Sequence, residues 1–117
     1  MKKLTAAGLF LLLGIYTLSA QNLPTIRIVN NTGHAIYRIL VSPADSGNWG
    51  TDILGKDDIL ENGRTFTYQL SQPLNKINVY AIKLEDEEGD IYVKWRVTVS
   101  NNTRIVFTMD DFEEDEG

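Results

Sequence analysis

No cysteine occurs anywhere in the 117 residues. Disulfides, thiolate metal sites, cysteine nucleophiles and lipid attachment through an N-terminal cysteine are therefore excluded. Histidine is almost missing as well, His34 being the only one. A Ser–His–Asp relay would have to run through it, with Ser42 or Ser46 and Asp45, and no Gly-x-Ser-x-Gly elbow accompanies them. No glycine-rich phosphate cradle is present. Helical periodicity is hard to find after residue 24, and the only long apolar run lies before it.

That run begins with Lys2 and Lys3, continues uncharged from Leu4 to Leu18 around Leu9-Phe10-Leu11-Leu12-Leu13, and ends in the small residues Ser19-Ala20. Basic, apolar and small in that order reads as a bacterial signal peptide cleaved after Ala20, the alternative being an uncleaved N-terminal anchor, since Leu18 is large for a cleavage site. The stretch is shorter than the roughly 20 apolar residues a membrane-spanning helix needs. The expected address is secreted or periplasmic, with no membrane span once residues 1–20 are removed. Residues 21–117 are enough for one modest core, which must be stabilised by packing without cross-links.

Positive charge is also scarce. Setting aside Lys2 and Lys3 leaves 9 basic against 16 acidic residues, a net of −7, and six of the acids fall in Asp110–Glu116. The body is thus nearly neutral and the acidity reads as a solvated tail over 111–117. Nucleic acid is excluded as a partner, since it requires clustered Lys and Arg.

What is present in quantity is alternation. Ile26 and Ile28 share one face of a strand over Thr25 to Asn30. Asn30-Asn31-Thr32-Gly33 is a turn cluster, and His34 to Ser42 follows as the second arm of a hairpin. Arg64 to Leu70 places Phe66, Tyr68 and Leu70 inward. Lys76 to Leu84 is a further strand, ended by the charged turn Glu85–Asp90. From Ile91 to Val99 the pattern puts Ile91, Val93, Trp95, Val97 and Val99 in the core, with Arg96 at the surface. Asn101-Asn102 is a turn, and Thr103 to Met109 directs Ile105, Phe107 and Met109 inward. The reading is an all-β fold: one antiparallel β-sandwich over 21–110, Ig-like or partly open as a barrel, of about six to seven strands.

One connection breaks the rhythm. The twenty or so residues between Ser42 and Gly63 have weak strand character, and loops of that length in small domains often carry function. Trp49, Asp45, Asp52 and Leu54 are its candidate binding residues, Trp49 either as an exposed anchor or as a plug folded into one end of the sandwich. The carboxylates Asp86, Glu88 and Asp90 at the acidic turn are candidate oxygen ligands for Ca²⁺, although their spacing departs from the twelve-residue calcium loop.

The ordered set Asn30-Asn31-Thr32-Gly33, Val41-Ser42-Pro43, Ser46, Trp49-Gly50, Asp52, Leu54-Gly55, Gly63 and Glu88-Gly89-Asp90 resembles a family of small exported bacterial proteins of unknown function. That family carries an "SP…S…WG.D.LG" loop and an acidic "DGD" hairpin tip. The resemblance spans essentially the whole domain and implies a β-sandwich. Some relatives have a cysteine pair across the last strands; the matching positions here are Asn78 and Ser100, so no bridge is implied. It brings no activity. The expected function is a non-enzymatic binding module, contacting an unknown protein or cell-envelope component through residues 42–63 and needing no cofactor. The alternatives are a Ca²⁺-binding module and a small secreted hydrolase centred on His34.

Overall fold

In the computed structural model, residues 23–114 are described, and the expected signal peptide over 1–20 lies outside them. The alternating segments become seven strands: β1 Thr25–Asn31, β2 Ile36–Pro43, β3 Thr65–Gln69, β4 Val79–Asp86, β5 Ile91–Thr98, β6 Thr103–Thr108 and β7 Phe112–Glu113. They form a three-stranded sheet ordered β3-β1-β6 and a four-stranded sheet ordered β2-β4-β5-β7. The two inner faces meet in a core containing Ile26, Ile28, Ile36, Ile39, Tyr80, Ile82, Leu84, Tyr92, Ile105 and Phe107. The protein is an all-β sandwich.

The first expected hairpin does not form. β1 and β2 belong to different sheets, and Asn30–Gly33 carries the chain across the sandwich. The corner is held by a side chain in place of a ladder. Asn30 has no solvent exposure; its Nδ2 donates to the carbonyls of His34 at 2.7 Å and Leu60 at 2.9 Å. Its Oδ1 accepts from the Thr32 amide at 3.1 Å and the Thr32 hydroxyl at 2.7 Å. The Asn30 backbone takes Gly63 N–H and gives its own N–H to the Arg64 carbonyl. A crossing of this kind would otherwise bury bare backbone groups.

The sheet pairing is also not uniformly antiparallel. β1 and β6 run parallel, with Ile28 opposite Ile105 and Asn30 opposite Phe107. Parallel neighbours need a long crossover, which the whole excursion through β2 to β5 supplies.

In β5 the expected register holds for half the strand. Tyr80 pairs with Val97, but Ile82 pairs with Lys94, so β5 carries one residue more than β4 in this interval. Such a bulge exchanges the two faces of a strand. Beyond it Val97 and Val99 face the core as expected, whereas before it Tyr92 does. Ile91, Val93 and Trp95 turn to the outer face, and Trp95 is 55% exposed. Trp95 is therefore not a core residue; Arg96 is exposed as expected. Met109 is exposed too, because the chain leaves β6 for a 3-10 turn over Met109–Asp111.

The reading of 111–117 as an unstructured tail is corrected at its start. Asp111 accepts the Lys94 ammonium at 3.0 Å and the Thr108 amide at 3.0 Å. Phe112 sets its ring edge-on against Tyr92 with centroids 5.9 Å apart, and Phe112–Glu113 pairs with β5. One aromatic and one acid, each with a partner on β5, hold residues 111–113; residues 115–117 lie outside those described.

Two stability predictions follow from these contacts. Asn30→Ala strands two carbonyls and the Thr32 donors, so it should cost about 3 kcal/mol in urea unfolding. Asn30→Asp, which keeps the acceptor and loses the donor, should fare no better. Deleting residues 111–117 should cost roughly 2 kcal/mol through the lost Phe112–Tyr92 ring contact and the unpaired Lys94. An unchanged melting midpoint after the deletion would show that the β7 contacts contribute nothing.

Candidate binding site

The long connection after β2 divides into two parts with different roles. Its second part is structural. Asp52 Oδ1 accepts the Ile39 amide at 2.9 Å and the Leu54 amide at 3.0 Å, and the Ile53 amide donates to the Ile39 carbonyl at 2.8 Å. These bonds lay residues 52–54 along the open edge of β2, and Leu54 drops into the core. Gly55 turns the chain at φ 101°, with Asp58 Oδ2 only 2.8 Å from where a Cβ would sit. Leu60 then bridges back to Ile36. Two of the four expected binding residues, Asp52 and Leu54, are thus committed to the fold.

The first part of the loop lies over the outer face of the four-stranded sheet. Ala44 donates to the Val79 carbonyl, Ser46 to the Pro43 carbonyl, and Asp45 turns at φ 64°. Ser46 Oγ accepts the Asn48 amide at 3.3 Å, and Asn48 Oδ1 accepts the Gly50 amide at 3.2 Å. This path delivers Trp49 to the sheet. Its ring centroid stands 5.9 Å from that of Trp95 at an interplanar angle of 45°, and the Lys83 ammonium lies 4.9 Å from the Trp49 centroid, close enough for a cation–π contact. Trp49 is absent from the core cluster, so the plug reading is wrong: the ring covers the outer face of the sheet. The reason is the bulge, which supplies Trp95 as a partner on that face.

Between the loop and the sheet runs a groove of about 390 Å³ lined by Ser42, Pro43, Asp45, Asn48, Trp49 and Trp95 among others. Asp45 and Arg96 form an exposed ion pair on its rim. The structure therefore brings together the expected Trp49 and Asp45 and adds Trp95, Lys83 and Arg96. Sequence alternation points Trp95 inward, and only the extra residue in β5 reverses it.

The acidic turn is built differently from a calcium site. Asp86 is only 3% exposed, and its carboxylate is spent on the fold: Oδ1 accepts the Glu88 and Asp90 amides at 2.9 and 3.0 Å, and Oδ2 accepts the Tyr92 hydroxyl at 2.9 Å. Gly89 closes the turn at φ 85°. The ligand atoms that do converge, within 4.8 Å of one another, belong to His34, Asp86 and Glu88. Asp90 is not one of them. That mixed nitrogen and oxygen trio is far from the 6–8 oxygens Ca²⁺ takes.

The hydrolase arrangement fails on distance. His34 lies beyond the Ile36 end of β2, beside Asp86, while Ser42 pairs with Ala81 near the other end. The six residue steps from Ile36 to Ser42 alone span roughly 20 Å of strand. Ser46 Oγ is bonded to Ser42 Oγ and the Asn48 carbonyl.

Neither a protein-family model nor a curated protein sequence matches the chain. The structure is similar to the NMR structure of a protein from Eubacterium rectale, with a TM-score of 0.56 and 16% identity over 75% of this chain and 79% of that one. At that identity the likeness speaks for the fold alone.

Burial first, then the hydrogen bond to Asp86, raise the Tyr92 hydroxyl well above its usual pKa of 10. A raised pKa in the folded state means that its contribution to stability is complete below pH 10 and is lost as pH rises through the folded value. Denaturation midpoints of the wild type should fall more steeply above pH 10 than those of Tyr92→Phe, which cannot ionise. Parallel curves for the two proteins would contradict the role given to this bond.

Proposed function

We propose that the protein is a secreted or periplasmic, non-enzymatic binding module whose contact surface is the Trp49–Trp95 groove. The N-terminal order of basic, apolar and small residues supports export. The observation that carries the binding reading is that both tryptophans of the chain stand together on an exposed sheet face. Large aromatics at a surface, ringed by polar groups, are the usual anchors of recognition. Neither ring is needed to fill the core, and the loop that presents Trp49 is fixed by its own hydrogen bonds, so the surface is preorganised. The partner expected on this reading is a protein or a component of the cell envelope. The contact surface differs from the expected one in two respects: the sheet face contributes jointly with the loop, and Asp52 and Leu54 drop out of it.

Replacing Trp49 and Trp95 together by Ser tests the proposal. Both rings are at least partly exposed, so the double variant should keep the β-sheet circular dichroism of the parent and lose about 1–2 kcal/mol of stability. Retention of the protein on a washed cell-envelope fraction should disappear. Undiminished retention by a folded double variant would remove the groove as the contact surface.

A further inference from the structure

We infer that the groove is a saccharide site whose ligand is a pyranose unit of a cell-envelope glycan; this rests on the binding reading above and names the chemistry of the ligand. The groove offers two kinds of group side by side. Its apolar part is the pair of indoles, tilted at 45°. Its polar rim is the Asp45 carboxylate joined to the Arg96 guanidinium, with the Asn48 carboxamide and the Ser42 and Ser46 hydroxyls beside them.

Other ligand classes fit this combination poorly. A protein partner of ordinary size covers about 800 Å² per side around an apolar centre, whereas here the apolar centre is two rings and Pro43, closely edged by polar side chains. Nucleic acid also stacks on aromatics but demands uncommitted cations along the phosphates. The two cations at this site are engaged, Lys83 by the Trp49 ring and Arg96 by Asp45. A lipid chain needs an enclosed apolar pocket, and this groove has a polar rim.

A pyranose meets each requirement. One face of the ring is a patch of C–H groups, which sits against the electron-rich face of an indole. Its edge is a row of hydroxyls, each both donor and acceptor, and so calls for a donor and an acceptor close together. The exposed Asp45 carboxylate and the Asn48 carboxamide, both lining the groove, supply that acceptor and donor close together. The groove volume of about 390 Å³ falls within the range of small-ligand sites, about 300–1,000 Å³.

The protein carries its own reporter, because the only tryptophans are the two in the groove. Titration with soluble oligosaccharides of glucose, N-acetylglucosamine and uronic acid should produce a saturable change in indole emission with at least one of them. Trp95→Ala should weaken that binding roughly tenfold or more, and Asp45→Ala should weaken it as well. Trp95→Phe, which keeps an aromatic face, should weaken it less than Trp95→Ala. Retention on the envelope fraction should be abolished by periodate oxidation of its vicinal diols and survive protease treatment. Periodate-sensitive retention with no response in the titration still supports the inference, the sugar then lying outside that panel. Retention that survives periodate and is lost to protease overturns it while leaving the binding reading intact. A saccharide response that Trp95→Ala leaves unchanged also overturns it, since the sugar then binds elsewhere. Absence of both retention and response overturns the binding reading together with it.

Discussion

The arrangement of this protein hangs on the buried side chain of Asn30. A sandwich without disulfides must carry its chain from one sheet to the other through a tight corner, and the backbone groups exposed there need partners. Asn30 provides them with one carboxamide, donating to the His34 and Leu60 carbonyls and accepting from Thr32. The end of β1, the approach to β2 and the far end of the long loop are tied at a single point. Because Leu60 and Gly63 are fixed there and Asp52 pins the middle of the loop to Ile39, the loop is clamped at two places. Only its first part, through Trp49, is left to shape a surface.

That surface depends on a second local feature, the bulge in β5. Without the extra residue between the Tyr80–Val97 and Ile82–Lys94 pairs, Trp95 would face the core and Trp49 would have no aromatic neighbour. The same bulge has a protective effect. Beyond Tyr92, β5 has no further strand pairing with it on its β7 side among the described residues, and an unpaired, regular edge invites association with other strands. A bulge flanked by Lys94 and Arg96 makes that edge irregular and charged. Presenting an aromatic ring and guarding an edge are here one structural device.

How much of this was legible in the sequence varies with the range of the interactions involved. The strands themselves follow from alternation, and the inward faces of β3 and β6 are those the pattern predicts at Phe66, Tyr68, Ile105 and Phe107. Sheet membership is not legible, because Asn30-Asn31-Thr32-Gly33 has the composition of a hairpin turn, and its role as a corner depends on Leu60, thirty residues away. The bulge leaves no local mark: Ile91 to Val99 alternates without a break, and the displacement shows only in the pairing with β4. The candidate site was half readable. Trp49 and Asp45 stand out as an aromatic and an acid in a glycine-rich loop, but Trp95, Lys83 and Arg96 join them only through the β5 register. The order at Phe112 was hidden by its acidic neighbours, since charge dominates the composition while one ring and one ion pair decide the structure.

Three acids, Asp52, Asp86 and Asp111, prove to be architecture. Asp52 and Asp86 each accept two backbone amides with one oxygen, and Asp111 caps the last turn while holding Lys94. With Asn30 they form a set of short polar side chains that satisfy corners and loop ends, the places where a small domain without cross-links is weakest. A carboxylate occupied in this way has little capacity left for a metal ion, and at Asp86 this counts against the calcium reading of the acidic turn. Removing the residues with such assignments leaves the two tryptophans, with Asp45 and Arg96 beside them, as the prominent exposed group that the fold does not require. An exposed indole pair held in place by a cation and a preorganised loop is hard to account for by stability, since burying either ring in the core would stabilise the protein more. Its position is what the binding reading proposed above accounts for.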